Sequence, residues 1–350
     1  MGKLRVGSDC AGMATELFAL QALGIEYEQV FCSEIDEHAV RFLRHNHKCK
    51  TYFHDMTDRD MASVPPCDLY VCSFPCQPWS VLNLRKNKGD ARRSVVDFAL
   101  EYIHTHAPSY WVMENVAGIL HTDGGKPWRA LCERFDALAD YLWSYQVLCP
   151  STHASGPQNR KRVFMAGVHK RAGTRVDFPG EVPLTLRCVD LLDPHAAGQP
   201  CAPCYTRMLR EIWKVPPDAE GIVEFCSASR AYSPYKDPRA LKPHELKHVL
   251  KADVCSALIK HDPGHFANHL GRMLTNDESL RLMGFEPSVV RVPSITPTQM
   301  RSLCGNAMHM GVLARVLANL MGVPERAGNL MLAPSNRDNQ DGAQPQPEPQ

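Results

Sequence analysis

The sequence contains no uninterrupted apolar run of the roughly 20 residues that a membrane-spanning helix requires. Residues 1–5 carry no signal-peptide core, and they lead directly into a short apolar stretch. These two features predict an intracellular protein with no membrane partner. In a reducing compartment, its 14 cysteines are expected to be free thiols and not a disulfide framework.

The sequence also has no excess of charge of either sign. Its 39 lysines and arginines are nearly balanced by 38 aspartates and glutamates, for a formal net charge of +1 at pH 7. Overall charge therefore does not indicate a nucleic-acid partner, and such a partner would have to be bound by a local basic patch.

A complete set of metal ligands is missing as well. Cys201 and Cys204 have ligand-like spacing, but no second Cys/His pair follows them at the spacing of a zinc finger. A lone pair rarely closes a tetrahedral site, so the sequence predicts no metal centre.

Short apolar runs alternate with helical patterns through the first half of the chain, which is typical of an α/β fold with a mostly parallel sheet. After about residue 170 this alternation fades and prolines become frequent, and it returns at about residue 271. We predict a large domain of residues 1–169 and 271–332, a smaller irregular domain of residues 170–270, and a disordered tail of residues 333–350.

The most informative stretch is the apolar run 67–72, which leads into a Pro75-Cys76-Gln77 turn. Such a run is typical of a buried parallel strand, and open α/β sheets bind their ligands at the carboxyl ends of these strands. A cysteine taken at random is most often an inert core residue. Cys76 differs because no regular strand can continue through Pro75 and because a basic loop follows, where positive potential favours the reactive thiolate. The basic residues of this loop are Arg85, Lys86, Lys88, Arg92 and Arg93.

Other polar residues also stand where predicted strands end. Gly12 lies in a tight turn between the first strand and a helix, and Glu34 ends the second strand about 20 residues later. A glycine turn followed by a distal acid is where dinucleotide-binding folds hold a ribose, although Glu34 could equally be a solvated acid that caps the next helix. Asp55 and Glu114 end two further strands, so Glu114 is expected at the same edge of the sheet as Cys76.

Taken in order, these residues resemble the motifs of the cytosine-C5 DNA methyltransferase family. The resemblance covers nearly the whole chain except the irregular region and the tail. It implies a Rossmann-like S-adenosylmethionine-dependent methyltransferase sheet with helices on both faces, together with a small target-recognition domain. The matching positions are Gly12, Glu34, Asp55, Pro75-Cys76-Gln77, Glu114-Asn115-Val116, Gln158-x-Arg160-x-Arg162, residues 272–278 and Gly305-Asn306.

Carried over residue by residue, the resemblance implies that Cys76 is the nucleophile, Glu114 the acid at the pyrimidine ring and Arg162 the partner of the base oxygen. Gln158 and Arg160 would brace that site. The implied S-adenosylmethionine residues are Cys10, Gly12, Met13, Glu34, Ile35, Asp55, Met56, Phe74, Pro75 and Asn306. The implied DNA contacts are Gln77, Ser80, Arg85, Lys86, Lys88, Arg92 and Arg93.

Some positions depart from the family's pattern. Cys10 stands where the family usually has an aromatic residue, Ala14 and Thr15 where it has glycines, and Ile35 where tryptophan is frequent. These departures lie at positions that the resemblance assigns to cofactor binding, so they concern the packing around S-adenosylmethionine more than the methyl-transfer reaction.

The resemblance implies a monomeric, DNA-associated enzyme that methylates C5 of a flipped cytosine in double-stranded DNA. One alternative is the tRNA-methylating branch of the family, but its Cys-Phe-Thr signature and its threonine at the position of Ser80 are not found. A second alternative is a catalytically inactive regulator with the same fold. The intact Cys76, Glu114 and Arg162 argue against that alternative.

Overall fold

The computed structural model describes residues 2–75, 95–225, 240–260, 264–291 and 294–324. A seven-stranded sheet forms the centre of the molecule. Its strands come from the first half of the chain: β1 (Leu4–Asp9), β2 (Tyr27–Ser33), β3 (Cys49–Phe53), β4 (Leu69–Cys72), β5 (Tyr110–Val116), β6 (Tyr141–Leu148) and β8 (Arg162–His169). The two-residue strand β7 (Gln158–Asn159) lies outside this sheet. Their spatial order is β3-β2-β1-β4-β5-β8-β6.

The first five strands in that order are parallel, and β8 runs antiparallel to both β5 and β6. Parallel neighbours require crossovers, which helices supply here. The carboxyl ends of β1, β2, β3, β4 and β5 therefore meet at one edge of the sheet. The antiparallel register pairs Val116 with Arg162, which brings the start of β8 to that same edge.

Helices cover both faces of the sheet. The helices are α1 (Thr15–Leu23), α2 (Glu37–Asn46), α3 (Val95–His106), α4 (Lys126–Asp136), α5 (Pro150–His153), α6 (Pro203–Arg207), α7 (Pro243–Val249), α8 (Asn276–Leu282), α9 (Pro297–Asn306) and α10 (Met310–Met321). Helices α1, α2 and α10 pack with one side of the strands in one buried cluster, and α3 and α4 pack with the other side in a second. Because side chains alternate along a strand, Val71 belongs to the first cluster and Tyr70 to the second. The α/β architecture predicted from the sequence is thus confirmed.

The irregular region contains a small sheet of its own. Strands β9 (Ile222–Glu224), β10 (Leu250–Lys251), β12 (His265–Ala267) and β13 (Arg272–Met273) form an antiparallel sheet in the order β10-β9-β12-β13, and β11 (Cys255–Ser256) pairs with β7. A third apolar cluster that includes Trp213, Phe225 and Phe266 packs against this sheet. The strands have only two or three residues, which is too short for an alternating pattern to be recognised in the sequence.

One helix is shorter than its sequence pattern predicts. The apolar spacing indicates a helix from Trp128 to Tyr141, but α4 ends at Asp136 and Tyr141 is the first residue of β6. Tyr141 instead packs in the second cluster and donates a hydrogen bond to the Pro108 carbonyl. Across the described ranges, no helix is long and apolar enough to cross a membrane.

Candidate active site

Two side chains connect the carboxyl ends of β4 and β5. Ser73 Oγ donates a 2.9 Å hydrogen bond to Glu114 Oε2, and Asn115 Nδ2 donates a 3.2 Å hydrogen bond to the carbonyl of Phe74. The segment that leads to Pro75 is therefore fixed directly beside Glu114. Sequence reasoning assigned no role to Ser73 or to the Asn115 amide, although a polar residue immediately after a buried strand was the available signal.

Glu114 is almost fully buried, with 5% of its surface exposed. Arg162 Nε lies 3.2 Å from Glu114 Oε1, but the pair is not aligned as a hydrogen bond, and within the part of the chain that the structure describes Oε1 has no hydrogen-bond partner. Arg162 thus contributes mainly its charge to this carboxyl group. One carboxyl oxygen is fixed by Ser73, and the other is left to donate to or accept from a bound molecule.

Gln158 and Arg160 are fully buried and point to the C-terminal segment. Arg160 donates hydrogen bonds to the carbonyls of Leu258, Gly305 and Ala307 at 2.9, 2.9 and 2.7 Å. Gln158 Nε2 donates to the carbonyl of Leu282 at 3.3 Å. The alternating positions of Arg160 and Arg162 in the sequence predict that both face the same side of one strand, but Arg160 precedes β8 and the two arginines have different partners. Their placement agrees with a bracing role, which stays a prediction.

The turn between β1 and α1 has an unusual backbone. Cys10, Gly12 and Ala14 all adopt the left-handed conformation, with φ of 49°, 54° and 49°. This conformation is ordinary for glycine but costs an alanine or cysteine roughly 1 kcal/mol. Ala14 therefore stands in a backbone conformation that glycine adopts without this cost. Apart from its chain neighbours, the nearest described atom to a Cβ atom on Gly12 would be the Cys10 carbonyl oxygen at 4.0 Å, so the described part of the chain leaves the space beside Gly12 open.

Glu34 joins this glycine turn to the end of β2. Its Oε2 accepts a 2.7 Å hydrogen bond from the Gly12 backbone N–H, and its Oε1 accepts a 2.9 Å hydrogen bond from the N–H of Asp36. Burial raises the pKa of Glu34, and these N–H groups oppose the rise because they favour the carboxylate. The N-terminus of α2 is capped by Asp36, so Glu34 is not the helix cap that the sequence left open. Next to it, Ile35 is 61% exposed, which is unusual for a large apolar side chain.

The turn after β3 lies against the glycine turn. Asp55 accepts 2.8 Å hydrogen bonds from both the N–H and the hydroxyl of Thr57, which fixes the short helical turn Met56–Asp58. Met56 is buried, and the Cys10 thiol contacts its sulfur at 3.8 Å. Met13 is buried in the first apolar cluster. The structure therefore brings four strand-end positions together at one edge: the glycine turn, Glu34, the Asp55 turn and Glu114.

Asn306 is the last residue of α9 and is exposed. The adjacent Gly305 is required by its surroundings, because a Cβ atom there would lie 2.4 Å from the backbone nitrogen of Lys260. The remaining predicted residues lie outside the described ranges, and their roles stay predictions: Cys76, Gln77, Ser80, Arg85, Lys86, Lys88, Arg92 and Arg93. Over the described ranges, no group of three or more His, Cys, Asp or Glu side chains could hold a metal ion.

A mostly parallel sheet with a glycine turn after β1, an acid at the end of β2 and a buried glutamate on β5, two strands from β1, is the arrangement of a methyltransferase-like α/β protein. The family described as C-5 cytosine-specific DNA methylase matches residues 5–322, and the chain belongs to this family.

Individual relatives are more distant. The chain is 24% identical over 332 residues to the type II methyltransferase M.Bsp6I of Bacillus sp. (strain RFL6), an alignment that covers 91% of this chain and 98% of the relative. It is 34% identical over 172 residues to the orphan methyltransferase M.Rho11sI of Bacillus phage rho11s, but this alignment covers 49% of the chain and only 34% of the phage protein.

Solved structures share the fold. The S. pombe Dnmt2 methyltransferase superposes with a TM-score of 0.59 at 20% identity, covering 91% of this chain and 98% of that one. The Entamoeba histolytica methyltransferase EhMeth superposes with a TM-score of 0.65 at 16% identity, covering 92% and 99%.

Proposed function

We propose that the chain is an S-adenosylmethionine-dependent methyltransferase that acts on C5 of a flipped cytosine in double-stranded DNA. Membership of the C-5 cytosine-specific DNA methylase family supports the reaction class. The observation that carries the proposal is the arrangement of Glu114. This side chain is buried, accepts a hydrogen bond from Ser73 and lies beside the charge of Arg162. It stands at the edge of the sheet to which the segment from β4 to Pro75 leads.

The residues at the glycine turn fit S-adenosylmethionine. The open space beside Gly12 admits the cofactor close to the backbone. Glu34 retains lone pairs that could accept hydrogen bonds from ribose hydroxyls, and the exposed Ile35 offers an apolar surface to a purine ring. Asp55, with Met56, is proposed to bind the adenine. When bound, this cofactor supplies an electrophilic methyl group on a sulfonium sulfur.

We propose that Cys76, which lies outside the described residues, opens the reaction. Cytosine C5 is a poor nucleophile, so a thiolate first adds to C6, and the electron pair of the C5–C6 double bond moves toward C5 and N3. Glu114 would protonate or hydrogen-bond N3 as negative charge develops there, and Arg162 would hold the base oxygen. After C5 has received the methyl group, a base removes the C5 proton, the sulfur–C6 bond breaks and the Cys76 thiolate is restored.

The target base must leave the helical stack, because C6 is unreachable within a duplex. The basic residues between Arg85 and Arg93 are proposed to hold phosphates near the flipped base, together with Gln77 and Ser80. Gln158 and Arg160 would brace the site from behind through their contacts with the C-terminal segment. No second copy of the chain is needed for these roles, so we propose that the enzyme acts as a monomer.

Trapping on 5-fluorocytosine tests the proposal. Fluorine at C5 cannot leave as a proton does, so the enzyme stays covalently attached after methyl transfer. We expect a band of enzyme bound to a fluorinated DNA duplex that requires S-adenosylmethionine, is lost in Cys76→Ser and persists in Cys204→Ser, a matched variant at an exposed cysteine.

Two other outcomes would contradict the proposal. Trapping on a fluorinated tRNA and not on DNA would assign the chain to the tRNA-methylating branch. Binding of DNA or of other methyltransferases without trapping on either polymer would identify an inactive regulator.

A further inference from the structure

We propose that Arg59, held by Asp9, is a positioning residue for the cofactor: it fixes the turn that carries Asp55 and Met56 against the glycine turn that carries Gly12. The inference rests on the proposed function for the identity of the cofactor as S-adenosylmethionine. Neither Arg59 nor Asp9 belongs to the motifs by which the sequence resembles its family.

Asp9 is the last residue of β1 and is buried, with 1% of its surface exposed. Both of its carboxylate oxygens are fully used. Oδ1 accepts hydrogen bonds from Arg59 Nη1 and Ser33 Oγ, each at 2.6 Å. Oδ2 accepts hydrogen bonds from Arg59 Nη2 at 2.5 Å and from the Tyr70 hydroxyl at 2.7 Å. One carboxylate thus joins the ends of β1 and β2 and the Tyr70 side chain of β4 to the segment that follows β3.

The guanidinium of Arg59 has little freedom to move. Its side chain is 2% exposed, and its Cζ atom lies 5.4 Å from the ring centre of Phe31 and 5.2 Å from that of Phe53. A cation placed against aromatic faces is held by their negative potential. Two hydrogen bonds in a fork and two flanking rings therefore determine both the position and the orientation of this group.

The two members of the pair adjoin the two predicted cofactor turns. Asp9 immediately precedes Cys10, the first left-handed residue of the glycine turn. Arg59 is the residue that ends the short helical turn Met56–Asp58, which Asp55 caps at its start. A displacement of Arg59 therefore moves the adenine side of the site relative to the methionine side, and the weak sulfur contact between Cys10 and Met56 cannot replace the ion pair.

A second ion pair of the same type provides an internal control. Arg5 of β1 and Asp68, the residue before β4, form a 2.7 Å contact, but at the opposite edge of the sheet and with side chains that are 45% and 32% exposed. This pair also joins β1 to the start of β4. If arginine–aspartate pairs of this sheet only stabilised the fold, removing either would leave cofactor affinity unchanged in the folded protein.

The experiment compares Asp9→Leu/Arg59→Met with Arg5→Met/Asp68→Leu. Replacing both partners of a buried pair with apolar side chains avoids leaving a buried charge without its partner. Three quantities are measured for each variant. They are the affinity for S-adenosylmethionine by calorimetric titration, the affinity for duplex DNA, and the turnover rate at saturating cofactor. We expect the Asp9/Arg59 variant to bind S-adenosylmethionine about tenfold or more weakly, because small displacements of positioning groups have effects of this size. Its DNA affinity and its saturated turnover rate should stay within about threefold of wild type.

Tyr70→Phe is the second variant, because it removes one hydrogen bond to Asp9 without removing a charge and should fold. It is expected to weaken cofactor binding by about two- to fivefold, the effect of one typical hydrogen bond, because Asp9 keeps its other donors and its ion pair with Arg59. If wild type, Tyr70→Phe and any folded Asp9/Arg59 variant bind the cofactor equally well, this inference is overturned and the proposed function is not. An equal loss in the Arg5/Asp68 variant would also overturn it. Absence of cofactor binding by the wild-type chain would instead overturn the proposed function, and the inference with it.

Discussion

Ser73 Oγ and Glu114 Oε2 are joined by a 2.9 Å hydrogen bond, and this contact connects the carboxyl ends of two neighbouring parallel strands. Its consequence is that the acid is oriented by the same segment that leads to Pro75. A side-chain hydrogen bond therefore joins Glu114 to the segment that ends at Pro75, directly before the proposed nucleophile Cys76.

Ser73→Ala removes the hydroxyl that orients Glu114 and leaves its backbone unchanged. We expect turnover to fall about tenfold at saturating substrates, because the buried carboxyl group loses the hydrogen bond that orients it, at a cost of roughly 1.5 kcal/mol. The Michaelis constant for S-adenosylmethionine should change little, since Ser73 does not belong to the glycine turn. Steady-state transfer of a tritiated methyl group to duplex DNA measures both quantities.

Ser63→Ala is the control for this change, because the Ser63 hydroxyl donates only to the exposed carbonyl of Asp60. Equal turnover in Ser73→Ala and wild type would show that Glu114 does not depend on this hydroxyl.

Gly12→Ala tests the location of the cofactor. Among the described residues, its chain neighbours aside, the added methyl group meets no atom nearer than 4.0 Å, and it occupies the open space beside the turn. Because Gly12 has a φ of +54°, the backbone strain should lower the free energy of unfolding by about 1 kcal/mol. We expect S-adenosylmethionine affinity to fall about tenfold in addition, as measured by calorimetric titration.

Gly124→Ala is a matched variant, because Gly124 has a φ of +64° and an added methyl group there would meet no atom of the described residues within 4 Å, its chain neighbours aside. It should show the same loss of stability with unchanged cofactor binding. A loss of affinity shared by both variants would argue against a cofactor site at Gly12.

Gly167→Ala tests the antiparallel pairing of β5 and β8. Gly167 faces Trp111 across the two strands, and a Cβ atom on it would lie 2.2 Å from the indole ring. Trp111 is fully buried and stacks on Phe135 at 5.1 Å, so its ring has no space into which to move. We expect a loss of about 3 kcal/mol in the free energy of unfolding by urea, typical of overpacking in a closed core. Gly173→Ala, whose methyl would meet a single Val168 methyl group at 2.8 Å, should cost less. Equal stability of the two variants would contradict this register.

Much of the site was predictable because it depends on chain order and on one property of parallel sheets. Glu34, Asp55 and Glu114 each follow a short apolar run, and parallel strands place such residues at a common edge whatever the intervening loops do.

The rest of the site depends on contacts between distant segments. Arg160 binds carbonyls that follow it by 98 to 147 residues, and no local pattern specifies such partners. The pairing of Asp9 with Arg59 is similar, since each residue taken alone is an ordinary charged residue at the end of a strand or turn. Their burial becomes visible only when β1, β2 and β4 are assembled around them.

Glu16 provides a prediction that depends on pH. It lies in the first turn of α1, is 1% exposed and accepts a short hydrogen bond from the Ser8 hydroxyl. Burial raises the pKa of Glu16 to about 7, despite the opposing effect of that hydrogen bond. In the unfolded chain a glutamate titrates near pH 4.3, so from about pH 4.5 to 7 the folded protein keeps a proton that the unfolded chain has lost.

The unfolded state then binds fewer protons than the folded state, so stability falls as pH rises through this window. Above pH 7 the Glu16 carboxyl group is ionised in both the folded and the unfolded state. The folded protein then bears the full cost of burying this charge, roughly 3 kcal/mol for a pKa shift of this size. Glu16→Gln cannot ionise at this position. Its free energy of unfolding by urea should therefore depend less on pH between pH 5 and pH 8 than that of wild type, and at pH 8 the variant should be the more stable of the two. Glu26→Gln, at an exposed position of the following turn, should retain the wild-type slope. If the free energy of unfolding depended on pH in the same way for wild type and Glu16→Gln, Glu16 would already be ionised in the folded protein below pH 5. Its buried carboxylate would then be stabilised by contacts stronger than the Ser8 hydroxyl provides.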